Sequence, residues 1–314
     1  MSNDAPGSSL APRTFRFADV DRFRSSVKHL NVDFIPLVRE GSAEQTILDL
    51  DGCSVNFTKS FPRIVDAQLE PDCTAVGFSM DDGLPIRFNG CERDHAIIVI
   101  GSNGAVYNAV ERVERQYASI VFKPAITDRD WPAAAANFKM FETTAESQQR
   151  LRLLVKQALA ASSEFTGPYE ASQVSRAIRE TLLSAIDTAF SEVVPSRWAT
   201  YANSARQFQI FQDVRAILAA NIAAPIYSAD LARQLGVSVR TLHDAVRRYR
   251  GMSLHRYLRL RRLWMVRKEL LSGASSVKAS ALAFGFWHMG DFSHSYRQQF
   301  GESASETLER ASRR

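Results

Sequence analysis

The chain has 314 residues, 45% of them hydrophobic, and a net charge of +5, a length that suggests about two domains, each able to bury a core without disulfide staples. No apolar run approaches the roughly 18 residues that a membrane span needs. Met1 to Pro12 are small and polar and lack a hydrophobic signal core, which argues against secretion. Cys53, Cys73 and Cys91 show no C-x-x-C spacing and read as strand thiols in a reducing cytosol.

In chain order, residues 1–14 read as a disordered tail. Phe15 to Lys28 predicts a short amphipathic helix, because Phe17, Val20, Phe23 and Val27 recur three or four apart. The period then changes to two. Nine short runs predict strands: Phe34–Val38, Thr46–Leu50, Ser54–Lys59, Ile64–Leu69, Ala75–Met80, Ile86–Phe88, Ala96–Ile100, Val106–Val110 and Ser119–Phe122. Asp51-Gly52, Asp82-Gly83, Asn89-Gly90 and Asn103-Gly104 lie between them and suit tight hairpin turns. This pattern predicts a barrel or double-sheet roll over about 30–125.

From Thr143 the period returns to 3.6. Leu151, Leu154, Val155 and Leu159 form one helical stripe. A second helix, Tyr169 to Val194, carries Val174, Ile178, Leu182, Ala185, Ile186 and Ala189 and ends at Pro195. These helices cover the sheet, and the second is also a candidate dimer interface. Residues 195–206 read as a linker and Phe208 to Asn221 as the next helix, so the expected domains are 15–194 and 207–314.

The last third holds a duplication. Ser228 is read as an N-cap with Asp230 in the first turn, Gly236 as the tight turn, and Ser238 as the cap of a helix with Leu242, Ala245, Val246 and Tyr249 on one face. The pattern recurs with Ala281, Gly285, Phe292, Tyr296 and Gly301, offset by 49 at the turn glycines and 50 at Gly251/Gly301. Two helix-turn-helix units in register are far more specific than one. A long helix, Ser253 to Leu271, joins them, with Leu260, Leu263, Val266, Leu270 and Leu271 on its apolar arc. Arg256, Arg259, Arg261 and Arg262 are left to solvent or phosphate. Charge divides along the same line. From Arg206 onward there are 18 Lys+Arg against 8 Asp+Glu, or +10, which leaves −5 for residues 1–205. A basic module on an acidic remainder is the footprint of nucleic-acid binding.

Asp230-Leu-Ala-Arg-Gln-Leu-Gly236, Gly251-Met-Ser-Leu-His-Arg-Tyr257 and Ala283-Phe-Gly285-Phe-Trp-His-Met-Gly-Asp-Phe292-Ser-His-Ser-Tyr296-Arg-Gln-Gln-Phe-Gly301 resemble the AraC/XylS family of bacterial transcription regulators over about residues 206–310. The family usually has Pro where Ala304 stands. The resemblance implies an α+β chain: an N-terminal cupin-like roll with flanking helices that senses and dimerises, and a C-terminal all-α domain of two helix-turn-helix motifs. It further implies a cytoplasmic, nucleoid-associated activator, a homodimer. Its partners would be double-stranded promoter DNA, RNA polymerase and a small-molecule effector.

Base contact is expected from Arg240, His243, Asp244 and Arg247 in the first recognition helix, and from His288, Met289, Gly290, Asp291 and His294 in the second. Arg248, Arg250 and Arg297 are expected to hold phosphate. No cofactor, metal or membrane contact is expected. The roll offers only His29, read as helical, and His95 in a charged turn, too few for a cupin metal site. Asp81-Asp82 reads as a solvated turn, and no catalytic constellation appears. The competing readings are an N-terminal domain that only dimerises, and a cupin-type enzyme with a DNA-binding tail.

Overall fold

The computed structural model describes every residue except 1–9, 19, 40, 94–95, 133–137, 162–167, 194–200, 225 and 314. The chain forms two compact units, one of residues 1–34, 41–86 and 92–197, the other of 35–40, 87–91 and 198–314. The first holds most of the β-structure. Its elements begin with β1 (Arg13–Phe17), α1 (Val20–Ser26), β2 (Leu30–Pro36), β3 (Ala43–Leu50), β4 (Cys53–Ser60), β5 (Arg63–Leu69) and β6 (Thr74–Ser79). There follow β7 (Ile86–Phe88), β8 (Cys91–Arg93), β9 (Ile97–Ser102), β10 (Val106–Glu111), β11 (Arg115–Phe122), β12 (Phe138–Glu142), α2 (Ala145–Ala161) and α3 (Pro168–Ser191).

The strands make two sheets, β1-β3-β4-β11-β6-β9-β12 and β2-β5-β10-β7-β8, the double-sheet roll that the period-two runs predict. The alternation fixes which face is which. Val55, Val76, Phe78, Ile98, Ile100, Ile120 and Phe122 point to one side and form a core with Leu151 and Val155 of α2 and Leu182, Leu183 and Ile186 of α3. On the other side Tyr117 of the seven-stranded sheet lies beside Tyr107 and Glu111 of the five-stranded one; burial pushes the Tyr107 hydroxyl up to about 12 and raises Tyr117 well above its ordinary value. Arg63 and Glu111 pair there at 3.0 Å, both over nine-tenths buried. Arg63 also stacks on Phe34, 4.4 Å from the ring centre. A buried polar seam therefore runs between the sheets, opposite the apolar core.

Several expectations need correction. Residues 13–17 are a strand, not tail or helix: β1 pairs Arg13 to Phe17 with Ile47 to Ala43. Cross-strand partners decide it, since Thr14 meets Thr46 at 2.9 Å, Arg16 meets Glu44 at 2.7 Å and Arg13 pairs with Asp49. Leu10, also assigned to the tail, is buried in the core. His29 lies past the end of α1, in the left-handed region at φ +60°. His95 lies outside the described residues. Three strands, β1, β8 and β12, had no counterpart in the sequence reading. Asp51-Gly52 is a hairpin turn between paired strands. Asn103-Gly104, with φ +47° and +82°, instead carries the chain from one sheet to the other. Asp82 is exposed, as a solvated turn requires, but both acids are engaged: Asp81 accepts from the Gln116 amide at 2.7 Å and Asp82 pairs with the buried Arg152. The apolar stripe of α3 packs on its own sheet as expected, and its outward face carries Ser172, Gln173, Arg176 and Glu180.

The second unit comprises α4 (Tyr201–Ala220), α5 (Ser228–Gln234), α6 (Val239–Arg250), α7 (Leu254–Leu271), α8 (Val277–Ala283), α9 (Met289–Phe300) and α10 (Ala304–Ser312). The expected linker is thus helical from Tyr201. No Pro or Gly follows Pro195 in that stretch, so nothing in it breaks a helix. No helix of the described residues is long and apolar enough to cross a membrane.

The last helix is held by Glu302. Arg267 approaches it at 2.7 Å and Thr307 at 2.9 Å, and Arg310 chelates it. Burial pushes this carboxyl up, but the hydrogen bonds from Arg310, Thr307 and Arg267 outweigh it and bring it down from 4.5 to about 2. A value depressed by folding means that this stabilisation is complete above pH 4.5 and is lost as pH falls toward 2. Glu302→Gln should cost about 2 kcal/mol at neutral pH and flatten the acid limb of the stability curve between those values, read by denaturant unfolding across pH. An unchanged acid limb would contradict the role given to Glu302.

Candidate nucleic-acid interface

Both helix-turn-helix units form as the duplication requires. In the first, Gly236 (φ +64°) makes the turn, and the Ser238 hydroxyl accepts from the Thr241 amide at 3.0 Å to cap α6. The N-cap of α5 is Tyr227, however, not Ser228. Ser228 is the first helical residue and bonds His243 at 3.0 Å, which fastens α5 to α6. In the second, Gly285 (φ +79°) makes the turn, and a Cβ there would come within 2.5 Å of the Ala223 carbonyl oxygen. Gly251 and Gly301 close α6 and α9 alike, each left-handed with its amide on the carbonyl four residues back, Arg247 or Arg297, at 2.8 Å.

The buried stripes correspond. Leu242, Val246 and Tyr249 in α6, and Phe292, Tyr296 and Phe300 in α9, are at most 5% exposed. The connector α7 serves both units: Leu254, Tyr257 and Leu258 are buried near its start, while Leu263, Val266 and Leu270 join the core of the second unit. Its 18 residues span about 27 Å. Leu271, expected on this arc, is 42% exposed.

Off the stripes, Arg240, His243, Asp244 and Arg247 are exposed on α6, and His288, Gly290, Asp291 and His294 are exposed at the leading half of α9. These eight therefore stand on two outward faces. Arg240, its side chain 93% exposed, lies 3.8 Å from Asp244, a loose i,i+4 pair that leaves the guanidinium free to turn. Met289 differs. It is half-buried against the second-unit core, so only part of it faces outward.

Among the phosphate candidates, Arg297 is exposed and lies 4.0 Å from Glu306. Arg248 is half-buried and bonds Gln207 of α4 at 2.7 Å. Arg250 is misassigned: it is fully buried, sandwiched between Phe211 and Tyr257 at 4.5 and 4.8 Å, and bonds the Tyr257 hydroxyl at 3.2 Å. The repeat itself carries the signal, because Arg250 occupies the position that Phe300 fills fifty residues on. Arg262 is also structural. It donates to the Ile222 and Ala224 carbonyls at 2.7 and 2.6 Å, closing the turn after α4. Arg256 and Arg259 stay exposed. The sequence reading gave no role to Trp287, which is 62% exposed in the turn that leads into α9; a large aromatic at the mouth of a recognition helix is the signal that could have found it.

The comparisons with known proteins converge on this region. Residues 231–310 match a family model described as a helix-turn-helix domain. The chain is 37% identical over 94 residues to a probable thc operon regulatory protein of Rhodococcus erythropolis, covering 29% of this chain and 28% of that one. It is 33% identical over 103 residues to XylDLEGF operon transcriptional activator 1 of Pseudomonas putida, covering 32% and 31%. A solved structure of a probable AraC family transcriptional regulator from Rhodopseudomonas palustris CGA009 is 36% identical, with a TM-score of 0.31, over 33% of this chain and 97% of that one. The chain thus spans less than a third of the length of these curated relatives.

Proposed function

The chain carries an AraC/XylS-type helix-turn-helix domain, and on that premise we propose that it is a sequence-specific DNA-binding regulator of transcription, an activator rather than an enzyme. One observation carries the proposal. Two helices closed alike at their C-termini, α6 and α9, each bury one stripe and expose a polar face, and one rigid helix ties them together. Recognition helices in successive major-groove segments sit about 34 Å apart, a distance that a connector of about 27 Å with a helix packed at each end can hold. Arg240 and Arg247 are placed to hold guanine O6 and N7. Asp244 and Asp291 accept from cytosine N4, and His243, His288 and His294 reach base edges. Met289, Gly290 and Trp287 line the approach with apolar surface. Arg297, Arg256 and Arg259 hold phosphate, with Arg248 at the margin.

The β-rich unit is assigned the sensing and dimerising role, in the cytoplasm. The polar seam of Tyr107, Tyr117, Arg63 and Glu111 favours a small polar effector there over a domain that only dimerises. The effector would shift the melting temperature of the full chain. Sedimentation decides the homodimer, and binding of RNA polymerase at a promoter tests activation. The DNA-binding reading is tested by titrating the full chain with genomic promoter fragments at several salt concentrations. Affinity should fall steeply, with a slope of roughly 0.9 per neutralised phosphate. A flat salt response with no preference among fragments would overturn the proposal.

A further inference from the structure

An imidazole, a carboxylate and a thiol meet in the first unit, and DNA recognition uses none of them. The ligand atoms of His29, Glu70 and Cys73 all lie within 4.8 Å of one another. His29 directly precedes β2, Glu70 directly follows β5, and Cys73 directly precedes β6. Backbone pairing fixes the first two, since the Glu70 amide donates to the His29 carbonyl at 2.9 Å. The His29 ring nitrogen Nδ1 already lies 3.0 Å from a Glu70 oxygen. Both His29 (φ +60°) and Asp72 (φ +57°) hold the left-handed conformation, which non-glycine residues adopt at a cost and which clusters at ligand clamps. A cavity of about 480 Å³, with His29, Glu70 and Lys123 in its wall, opens beside the group.

We propose that His29, Glu70 and Cys73 form a binding site for a divalent transition metal of the zinc type, with a fourth position open to the cavity. The donor set selects the metal. Nitrogen, oxygen and sulfur ligands together suit zinc and its neighbours, whereas magnesium and calcium take oxygen alone. Bonds of about 2.0–2.3 Å in a tetrahedron put ligand atoms about 3.5 Å apart, so the three groups need close by only about 1 Å. Lys123 stands 3.3 Å from the same Glu70 oxygen. Its amine is half-exposed and can swing to water when a cation takes its place. Cys73 is fully buried against Leu69, Ala105 and Val121. Burial raises its thiol above the ordinary value, which makes it a poor nucleophile but leaves it open to a metal that displaces the proton. Binding would therefore release one proton from Cys73. It would also tie the start of β2 to the turn between β5 and β6.

The test uses the metal-stripped full-length protein, titrated with Co²⁺ as a spectroscopic stand-in and then with Zn²⁺. The expected result is saturation at one equivalent, with tetrahedral d–d bands and a thiolate-to-cobalt charge-transfer band that Zn²⁺ abolishes. Glu70→Gln, at an exposed position that should not disturb folding, should weaken binding at least about tenfold. Cys73→Ser should lose the charge-transfer band. A wild-type spectrum without a thiolate band, a band that survives in Cys73→Ser, or Glu70→Gln binding like wild type would each overturn the site. Neither the titration nor the variants involve DNA, so failure here leaves the DNA-binding proposal intact.

Discussion

Arg250→Ala should destabilise the helix-turn-helix unit by about 3 kcal/mol and leave the salt dependence of DNA binding by the folded protein unchanged. The side chain is fully buried between two aromatic rings, where a desolvated cation–π contact contributes about 2 kcal/mol and the vacated volume adds a cavity cost. A loss of that size lowers the melting temperature of a domain of this length by on the order of 10 °C. Arg250→Met, which refills most of the space, should recover part of it. A phosphate contact would behave in the opposite way: melting would stay unchanged and the salt slope would shrink by roughly 0.9. Calorimetry and a salt titration on the same variant separate the two outcomes.

Arg240→Ala should instead leave stability within about 0.5 kcal/mol, because the side chain is exposed and its i,i+4 pair with Asp244 is loose. It should cost about 1–3 kcal/mol of binding on the best site and relax preference at one or two base pairs. Arg240 is the second residue after the Ser238 cap and is almost fully exposed, at the leading end of α6 that is proposed to enter the groove. In the second repeat the same position is Gly290, which offers no such contact. Arg297→Ala should weaken all sequences about equally. If Arg240→Ala lowers affinity uniformly with base preference intact, Arg240 is a backbone contact and the docking of α6 is wrong.

The second unit was the more legible half, and the reason is periodicity. Helix signals are local: Ser238, Gly251, Gly285 and Gly301 mark caps and turns that the structure places where the spacing puts them. What failed there was residue-level. Arg250 reads as surface by its chemistry, while its register with Phe300 marks it as core, and register was the better guide. The β-rich unit was legible as strands but not as partners. Phe17 fits a helical stripe with Val20, Phe23 and Val27, yet Thr14, Arg13 and Arg16 find cross-strand partners on β3 that no local pattern displays. The same non-locality hid the His29, Glu70 and Cys73 group: Glu70 and Cys73 share one turn, but His29 lies about forty residues earlier and reaches them only through β-pairing. On α3 the apolar stripe packs on the sheet, as its spacing predicts.

The central claim is that one copy of this chain reads two neighbouring stretches of duplex through α6 and α9. Hydroxyl-radical footprinting and guanine-methylation interference on a selected high-affinity site test it most directly. The account predicts, for each bound protomer, two interference segments in the major groove on one face of the helix, about 10 base pairs apart. Gly290→Trp, at an exposed position in α9, should erase one segment and spare the other. A single segment per protomer, with the Gly290→Trp footprint unchanged, would contradict it.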